Sequence, residues 1–444
     1  MARNRRTAFD EPEVTARLID AVQATSFALD AWDDLDPLID RIGDARLALL
    51  GEASHGTADY YNWRRLISQR LIQEKDFSFI AVEGDWPDCY RVNRYVKGYL
   101  DSGSSARDVL RAFERWPTWM WANEEVVRLL EWLRRYNQNL AEQRLVGFYG
   151  LDVYSLWESL SAVLKYLEDT DGAAADAARR AFECFEPFGY EVDDYARSTS
   201  WAPQTCEKAV VHMLRELREG EPQFEQDGRE SRFNAEQNAL VAANAEHYYR
   251  TMLRGSAASW NIRDRHMVET LTRLMAHYGP HAKAIVWEHN THIGDARFTD
   301  MAGDGMVNVG QLARDQYGDV VLVGFSSYGG SVIAGVQWGA EAQRMNVPPG
   351  RNGSWEDVLH QAGANGLTLF NPNRTAPELL EPRGHRAIGV VYRPDDDAFG
   401  NYVPTVLPRR YDALAFIDRT NAVHPLPIQG AYEHEVAETF PSGV

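Results

Sequence analysis

Between Arg46 and Gly56 the chain reads Arg-Leu-Ala-Leu-Leu-Gly-Glu-Ala-Ser-His-Gly, an apolar run that stops at Gly51 and is followed at once by Glu52 and His55. A short, continuously apolar run closed by glycine is the pattern of a strand buried on both faces, which belongs in a parallel sheet covered by helices. Two more runs end the same way. Ser78 to Val82 ends on Glu83 and Gly84, and Ala284 to Trp287 ends on Glu288, His289, Asn290, Thr291 and His292. A charged group at the end of a buried strand costs solvation energy unless it is paired. Three such endings are therefore read as one site, built from Glu52, His55, Glu83, His289 and His292 at the carboxyl edge of an open sheet, where such folds place their chemistry.

The rest of the chain fits around these strands. Thr57 to Glu74 carries apolar residues at helical spacing, which makes strand, helix and strand a βαβ unit with a right-handed crossover. A further strand is predicted at Leu145 to Asp152. From Tyr154 to Tyr278 the pattern is helical throughout, and strand signals return at Lys283 to Trp287, Val320 to Gly324, Ser331 to Ala334, Ala387 to Tyr392 and Ala413 to Ile417. The expected fold is a three-layer α/β/α core with a mostly parallel sheet. It is formed discontinuously by residues 1–153 and 279–444, and residues 154–278 are a helical insertion that serves as a lid or pocket wall.

Charge and cysteine usage narrow the function. The formal net charge of −19 repels nucleic-acid phosphates and anionic lipid, so no nucleic-acid or membrane partner is expected. Met1 to Arg6 is basic but is followed by Asp10 and Glu11 without an apolar stretch, which predicts neither a signal peptide nor an anchor, and a cytoplasmic location. Cys89, Cys184 and Cys206 are odd in number and widely spaced, and they are expected to be ordinary buried thiols.

Several chemistries lack their motifs. Gly51 to Gly56 is one residue too long for a G-x-S-x-G nucleophile elbow, so Ser54 is a poor nucleophile candidate. No phosphate-binding loop, dinucleotide fingerprint or H-E-x-x-H is present, and no cofactor is predicted. What remains is histidine among carboxylates, with Asp152 and Glu288 close in pattern. A carboxylate on Nδ1 fixes the tautomer so that Nε2 can take a proton from water, which is general-base machinery. The same side chains could ligate a divalent metal, and that alternative stays open at this point. Arg64, on the helix after His55, would be a cation for an oxyanion or carboxylate. Trp116, Trp119 and Trp121 would line an apolar pocket. Asp264 reads as a helix-start residue.

Taken together, Gly51-Glu-Ala-Ser-His-Gly-Thr57, Val82-Glu-Gly-Asp-Trp-Pro-Asp88, Phe148-Tyr-Gly-Leu-Asp152, Trp260-Asn-Ile-Arg263-Asp-Arg-His-Met267 and Trp287-Glu-His-Asn-Thr-His292 resemble the erythromycin esterase-like family. The resemblance continues through Val390–Pro394 to Thr420–Leu426. It implies the three-layer core with its helical insertion and a hydrolase site that needs no metal. By that resemblance the histidine matching His55 activates water, and Glu52, Glu83 and His289 match further required residues. His292 and Arg64 fall on motif positions too, and Asp152, Arg263 and the three tryptophans are read as substrate-binding. Glu288 departs from the family, which usually has a small residue there. If the strand stays pleated, Glu288 points away from His289 and pairs with a basic group behind the sheet, the favoured expectation; if the backbone has already turned, it joins the other carboxylates. The expected activity is hydrolysis of an ester or lactone of a small molecule, macrolide-like compounds included. The rivals are a metal-dependent hydrolase, a cyclase or lyase of secondary metabolism, and a binding protein without turnover.

Overall fold

The computed structural model describes residues 12–99, 102–188, 192–199, 205–219, 228–252, 256–363, 365–371 and 375–427. Its strands are β1 (Ser26–Ala28), β2 (Leu47–Leu50), β3 (Phe79–Asp85), β4 (Gly147–Asp152), β5 (Ala284–Trp287), β6 (Val320–Ala334), β7 (Gln343–Val347), β8 (Gly366–Leu369), β9 (Arg383–Arg386), β10 (Tyr402–Thr405) and β11 (Ala413–Thr420). The helices used below are α1 (Pro12–Gln23), α2 (Asp36–Ile42), α3 (Ala58–Lys75), α4 (Trp86–Lys97), α5 (Ala106–Leu110), α6 (Glu124–Asn137), α7 (Leu156–Thr170), α8 (Gly172–Phe185), α9 (Val192–Thr199), α10 (Glu207–Glu219), α11 (Gly228–Met252), α12 (Ser256–Tyr278), α13 (Asn290–Ile293) and α14 (Val309–Tyr317).

Burial along β2 shows why it lies inside the sheet. All four residues are inaccessible, with Leu47 and Leu49 in one apolar layer and Ala48 and Leu50 in the other. The second layer is completed by Tyr61, Ile67 and Leu71 of α3 and Leu129, Leu130 and Leu133 of α6. The first is completed by Leu18 and Val22 of α1, Met267, Leu271 and Leu274 of α12 and Val309 and Ala313 of α14. Helices cover both faces, as a parallel sheet requires. The strand order is β1-β8-β11-β6-β2-β5-β3-β4, with β7 added to β6. From β11 to β4 every neighbour is parallel, while β1, β8 and β7 are antiparallel additions.

Register then aligns the three charged strand ends. Trp287 of β5 lies opposite Leu50 of β2 on one side and Val82 of β3 on the other. Glu52, Glu83 and Glu288 therefore start from the same level of the sheet. The turn after β2 is crowded enough to demand glycine at two places. A Cβ on Gly51 would lie 2.1 Å from Asn290 Oδ1, and one on Gly56 would lie 1.9 Å from the Ile333 carbonyl oxygen.

The segment between β4 and β5 is helical, with no strand among its described residues. Helices α7 to α11 gather around a separate apolar cluster that includes Leu160, Val163, Phe185, Met213 and Tyr249, whereas α12 packs on the sheet. No helix among the described residues is long and apolar enough to cross a membrane.

Three expectations need correction. The runs at Val320 and Ser331 are one strand, β6, because β2, β11 and then β7 supply partners along its whole length. Ala387 to Tyr392 is not a strand. Its amides and carbonyls divide between Ala53 and Gly335, leaving only isolated bridges to Ser54 and Gly335. Cys184 and Cys206 are not free thiols but a disulfide, their Cα atoms 5.8 Å apart. They are 22 residues apart in sequence and are brought together by the packing of α8 on α10, which spacing alone does not disclose. Cys89 is a free, buried thiol. The basic start at Met1 to Arg6 lies outside the described residues.

Candidate active site

His55 sits in the β2–α3 turn, almost wholly buried, on the wall of a cleft. Its Nδ1 lies 2.9 Å from Glu52 Oε1, and Arg64 Nη2 donates to the other oxygen, Glu52 Oε2, at 2.5 Å. A carboxylate so held accepts from Nδ1–H and leaves Nε2 of the neutral ring as an acceptor. Arg64 does not line the cleft, contrary to the expectation that it would meet an oxyanion. It is fully buried on α3, with its guanidinium over the rings of Tyr61 and Trp287 at 4.5 and 4.6 Å. Its charge is spent on Glu52 and on those aromatic faces.

His289 packs against His55 with ring centroids 4.9 Å apart. It caps α13, where its Nδ1 accepts from the Thr291 amide at 3.3 Å and lies 2.8 Å from the Thr291 hydroxyl. An Nδ1 that accepts from a backbone N–H puts the ring proton on Nε2, and Nε2 has no hydrogen-bond partner. Burial, reinforced by the neighbouring His55, lowers the pKa of His289 well below its ordinary value, so the ring is neutral. The product is a buried, uncommitted N–H donor beside His55.

A second network backs the first. Glu83 Oε2 accepts from the His289 amide at 2.8 Å, and Glu83 Oε1 accepts from Arg263 Nη2 at 2.7 Å. Arg263 also grips Asp152 through Nε at 3.0 Å and Nη2 at 2.7 Å, and donates from Nη1 to His292 Nε2 at 3.0 Å. With Nε2 accepting, His292 carries its proton on Nδ1 and donates to Asp264 at 3.0 Å, while its ring stacks on Trp260 at 4.5 Å. Burial pushes the Glu83 carboxyl up, but His292, Arg263 and His55 outweigh it and hold it well below the usual carboxylate range. His292 has both nitrogens engaged by protein groups and does not line the cleft. Asp264 was read as a helix-start residue but is an inner member of this network.

The five residues picked from the strand ends thus converge. Of these and the other residues picked from sequence, His55, Glu83, Asp152, Arg263, Trp116 and Trp121 line the cleft, and Trp119 is a core side chain away from it. Ser54 hydrogen-bonds to the Thr57 hydroxyl rather than to a histidine. Sequence reasoning missed Asp85, Asp88, Arg115, Tyr154 and Trp338 on the cleft, although the first two lie in the quoted Val82–Asp88 stretch. It also missed Asn290, whose amide donates to the Glu52 carbonyl at 2.8 Å and whose side chain bridges to Phe325 of β6. Among the described residues no three His, Cys, Asp or Glu side chains are grouped to hold a metal ion.

Glu288 contradicts the expectation of a basic partner. β5 ends at Trp287, so alternation no longer governs the next residues, and both Glu288 oxygens are buried without a hydrogen bond. Burial first, then Glu83 and Asp264, raise its pKa well above the ordinary glutamate value. A raised acid binds its proton more tightly folded than unfolded, so stability falls as pH rises through and above the unfolded value. Glu288→Gln is therefore expected to raise the melting temperature at pH 8, by on the order of 1 kcal/mol in stability, with the gain vanishing towards pH 4. A melting series that shows no gain at pH 8, or an equal gain at both ends, would contradict this account.

The mostly parallel α/β/α core thus carries a carboxylate-held histidine at its carboxyl edge. The chain belongs to the erythromycin esterase family, whose model matches residues 72–420. It is 23% identical over 391 residues to an erythromycin esterase type II from Escherichia coli, covering 79% of this chain and 86% of that protein. The fold is shared with a succinoglycan biosynthesis protein (TM-score 0.74, 17% identity, 94% of this chain and 100% of that one). A protein from Bacillus cereus gives the same TM-score of 0.74 at 20% identity, over 93% of this chain and 99% of that one. A histidine mutant of the erythromycin esterase EreC in its open conformation aligns with a TM-score of 0.64 at 16% identity, over 92% of this chain and 100% of that one.

Proposed function

We propose that this enzyme hydrolyses an ester or lactone of a small molecule, macrolide-like compounds included, by direct attack of a water activated by His55. The observation that carries the reading is the Glu52–His55 pair, with Nδ1 committed to the carboxylate and the ring on the cleft wall. Nε2 takes the proton as water adds to the carbonyl carbon, and Glu52, fixed by Arg64, stabilises the imidazolium. The neutral His289 supplies its free Nε2–H to the oxygen that becomes negative. Glu83, Asp152, Arg263 and His292 hold His289 and the cleft wall in place. When the tetrahedral intermediate collapses, the proton on His55 passes to the leaving alcohol. From the insertion at 154–278, Tyr154 and Arg263 line the cleft beside the reacting groups.

Ser54→Ala separates this route from an acyl-enzyme route through Ser54, because solvent oxygen enters the product acid by either route. A single turnover of excess enzyme in heavy-oxygen water is expected to place one solvent oxygen in the product acid, and Ser54→Ala is expected to keep wild-type kcat within a few-fold. Loss of activity in Ser54→Ala with its fold intact, or trapping of an acylated enzyme, would sink the direct-attack route.

A further inference from the structure

The cleft carries two carboxylates that the reaction above does not use. Asp85 ends β3, and Asp88 lies in the first turn of α4. Among the described residues, with Glu83 and Asp152 they put four carboxylates on the cleft wall against two guanidiniums, Arg115 and Arg263. Neither guanidinium is left over. Arg263 is consumed by Glu83, Asp152 and His292, and Arg115 binds Asp85 Oδ2 through Nε at 2.7 Å and Nη2 at 2.5 Å. Asp85 Oδ1 is then a buried acceptor with no partner, on a side chain 9% exposed. Among the described residues Asp88 is ion-paired with Arg91 alone, at 3.6 Å, and that arginine is 59% exposed to water. Facing this surplus of negative charge are the rings of Phe113, Trp116, Trp121 and Trp338, whose π faces attract alkylammonium groups as well as hydrocarbon.

We propose that Asp85 and Asp88 form a subsite for a protonated amine, so that the molecule presented to His55 combines a basic nitrogen with an apolar body. This deepens the hydrolase reading and rests on it only for the word substrate, since the subsite is defined by the cleft wall. The two carboxylates are under electrostatic tension that an ammonium relieves. Burial raises Asp85 to about 6, despite Arg115, and raises Asp88 to about 7, with Asp85 adding to it. A cation between them restores both carboxylates, while a neutral or anionic head group leaves them strained. The aromatic wall favours an alkylammonium over a hydrated divalent cation, which would have to keep its water against hydrocarbon.

The test uses the whole protein and three probes with one body: 4-phenylbutylamine, 4-phenylbutan-1-ol and 4-phenylbutanoate. Binding is followed by the quenching of tryptophan fluorescence and checked by calorimetry. At pH 8 the amine is expected to bind at least tenfold tighter than the alcohol, with the carboxylate weakest. That preference is expected to shrink several-fold at pH 5.5. The charged and titratable groups around the pair are Glu83, Asp152, Glu158, Arg91, Arg115 and His55, and their pH effects must be told from the pair's own. Asp88→Asn separates them. It is expected to cut the amine preference at pH 8 and flatten its pH dependence, with the affinity for the alcohol within twofold of wild type. Equal binding of amine and alcohol by the wild-type protein overturns the proposal, and so does an Asp88→Asn protein with unchanged preference. Competition by millimolar calcium, with no response to the amine, overturns it in favour of a metal ion. If no ester or lactone is turned over while the amine preference stands, the hydrolase reading fails and the subsite does not.

Discussion

Replacing His55 by alanine is expected to lower kcat by about 10²–10⁴-fold on any ester or lactone the wild-type enzyme turns over, with KM changed little. The size follows from the geometry. Glu52 commits Nδ1, the ring stands on the cleft wall, and no second imidazole is free to replace it, because His289 is neutral with its proton on Nε2 and His292 is bound at both nitrogens. Truncation should leave the fold standing, since Glu52 keeps its bond to Arg64. Glu52→Gln separates orientation from basicity. An amide can turn its NH2 towards Nδ1 and hold the wrong tautomer, and it leaves the buried Arg64 charge unmatched, so this variant should lose both rate and stability. Single-turnover rates beside melting curves decide between the two effects. A His55→Ala enzyme that keeps more than a tenth of wild-type kcat would remove His55 from the role of base.

The strand ends were legible because two independent signals coincide there. A run such as Leu47 to Leu50 has to be buried on both faces, and a glutamate or histidine directly after it has to find a partner. That reasoning located Glu52, His55, Glu83, His289 and His292 without knowledge of the strand order. It could not tell which of them would meet the cleft. His292 and Arg64 turn inward because Asp264 and Arg263 on α12, and Glu52 on the β2 turn, reach them first. Partners that lie far apart in the chain leave no periodic trace. The same gap explains Asp85 and Asp88, whose place on the cleft depends on the start of α4 after β3, and Cys184 with Cys206, joined by helix packing. Glu288 was misjudged for a local reason, since the pleat rule was applied one residue beyond the end of β5. The short antiparallel strands β1, β8 and β10 were missed because three or four half-buried residues carry too little pattern to separate from loop.

The largest loss of stability is expected at Arg263, on which the inner half of the site converges. One guanidinium serves Glu83, Asp152 and His292, all within 2.7–3.0 Å, and lies over the ring of Tyr154 at 4.9 Å. Burial works against its charge, but Asp152 and Glu83 outweigh that and raise its pKa well above the ordinary arginine value. Arg263→Met keeps length and apolar contact and removes every one of these bonds. It leaves two buried carboxylates uncompensated, which costs about 3–5 kcal/mol where one partner of a buried pair is deleted. The pH dependence fixes the cause. Glu83 is depressed in the folded protein, so its contribution is present above the unfolded glutamate value and is lost as pH falls towards the folded one. Without Arg263 that depression weakens, and the deficit of the variant should be greatest near pH 7 and shrink by pH 4, as Glu83 takes up its proton. Arg263→Lys should fall between, since one ammonium cannot reproduce a fork shared by three acceptors. Denaturation midpoints for the three proteins at pH 7 and pH 4.5 test this. A Met variant within about 1 kcal/mol of wild type at pH 7, or a deficit that does not respond to acid, would show that Arg263 is packed into the site without holding it together.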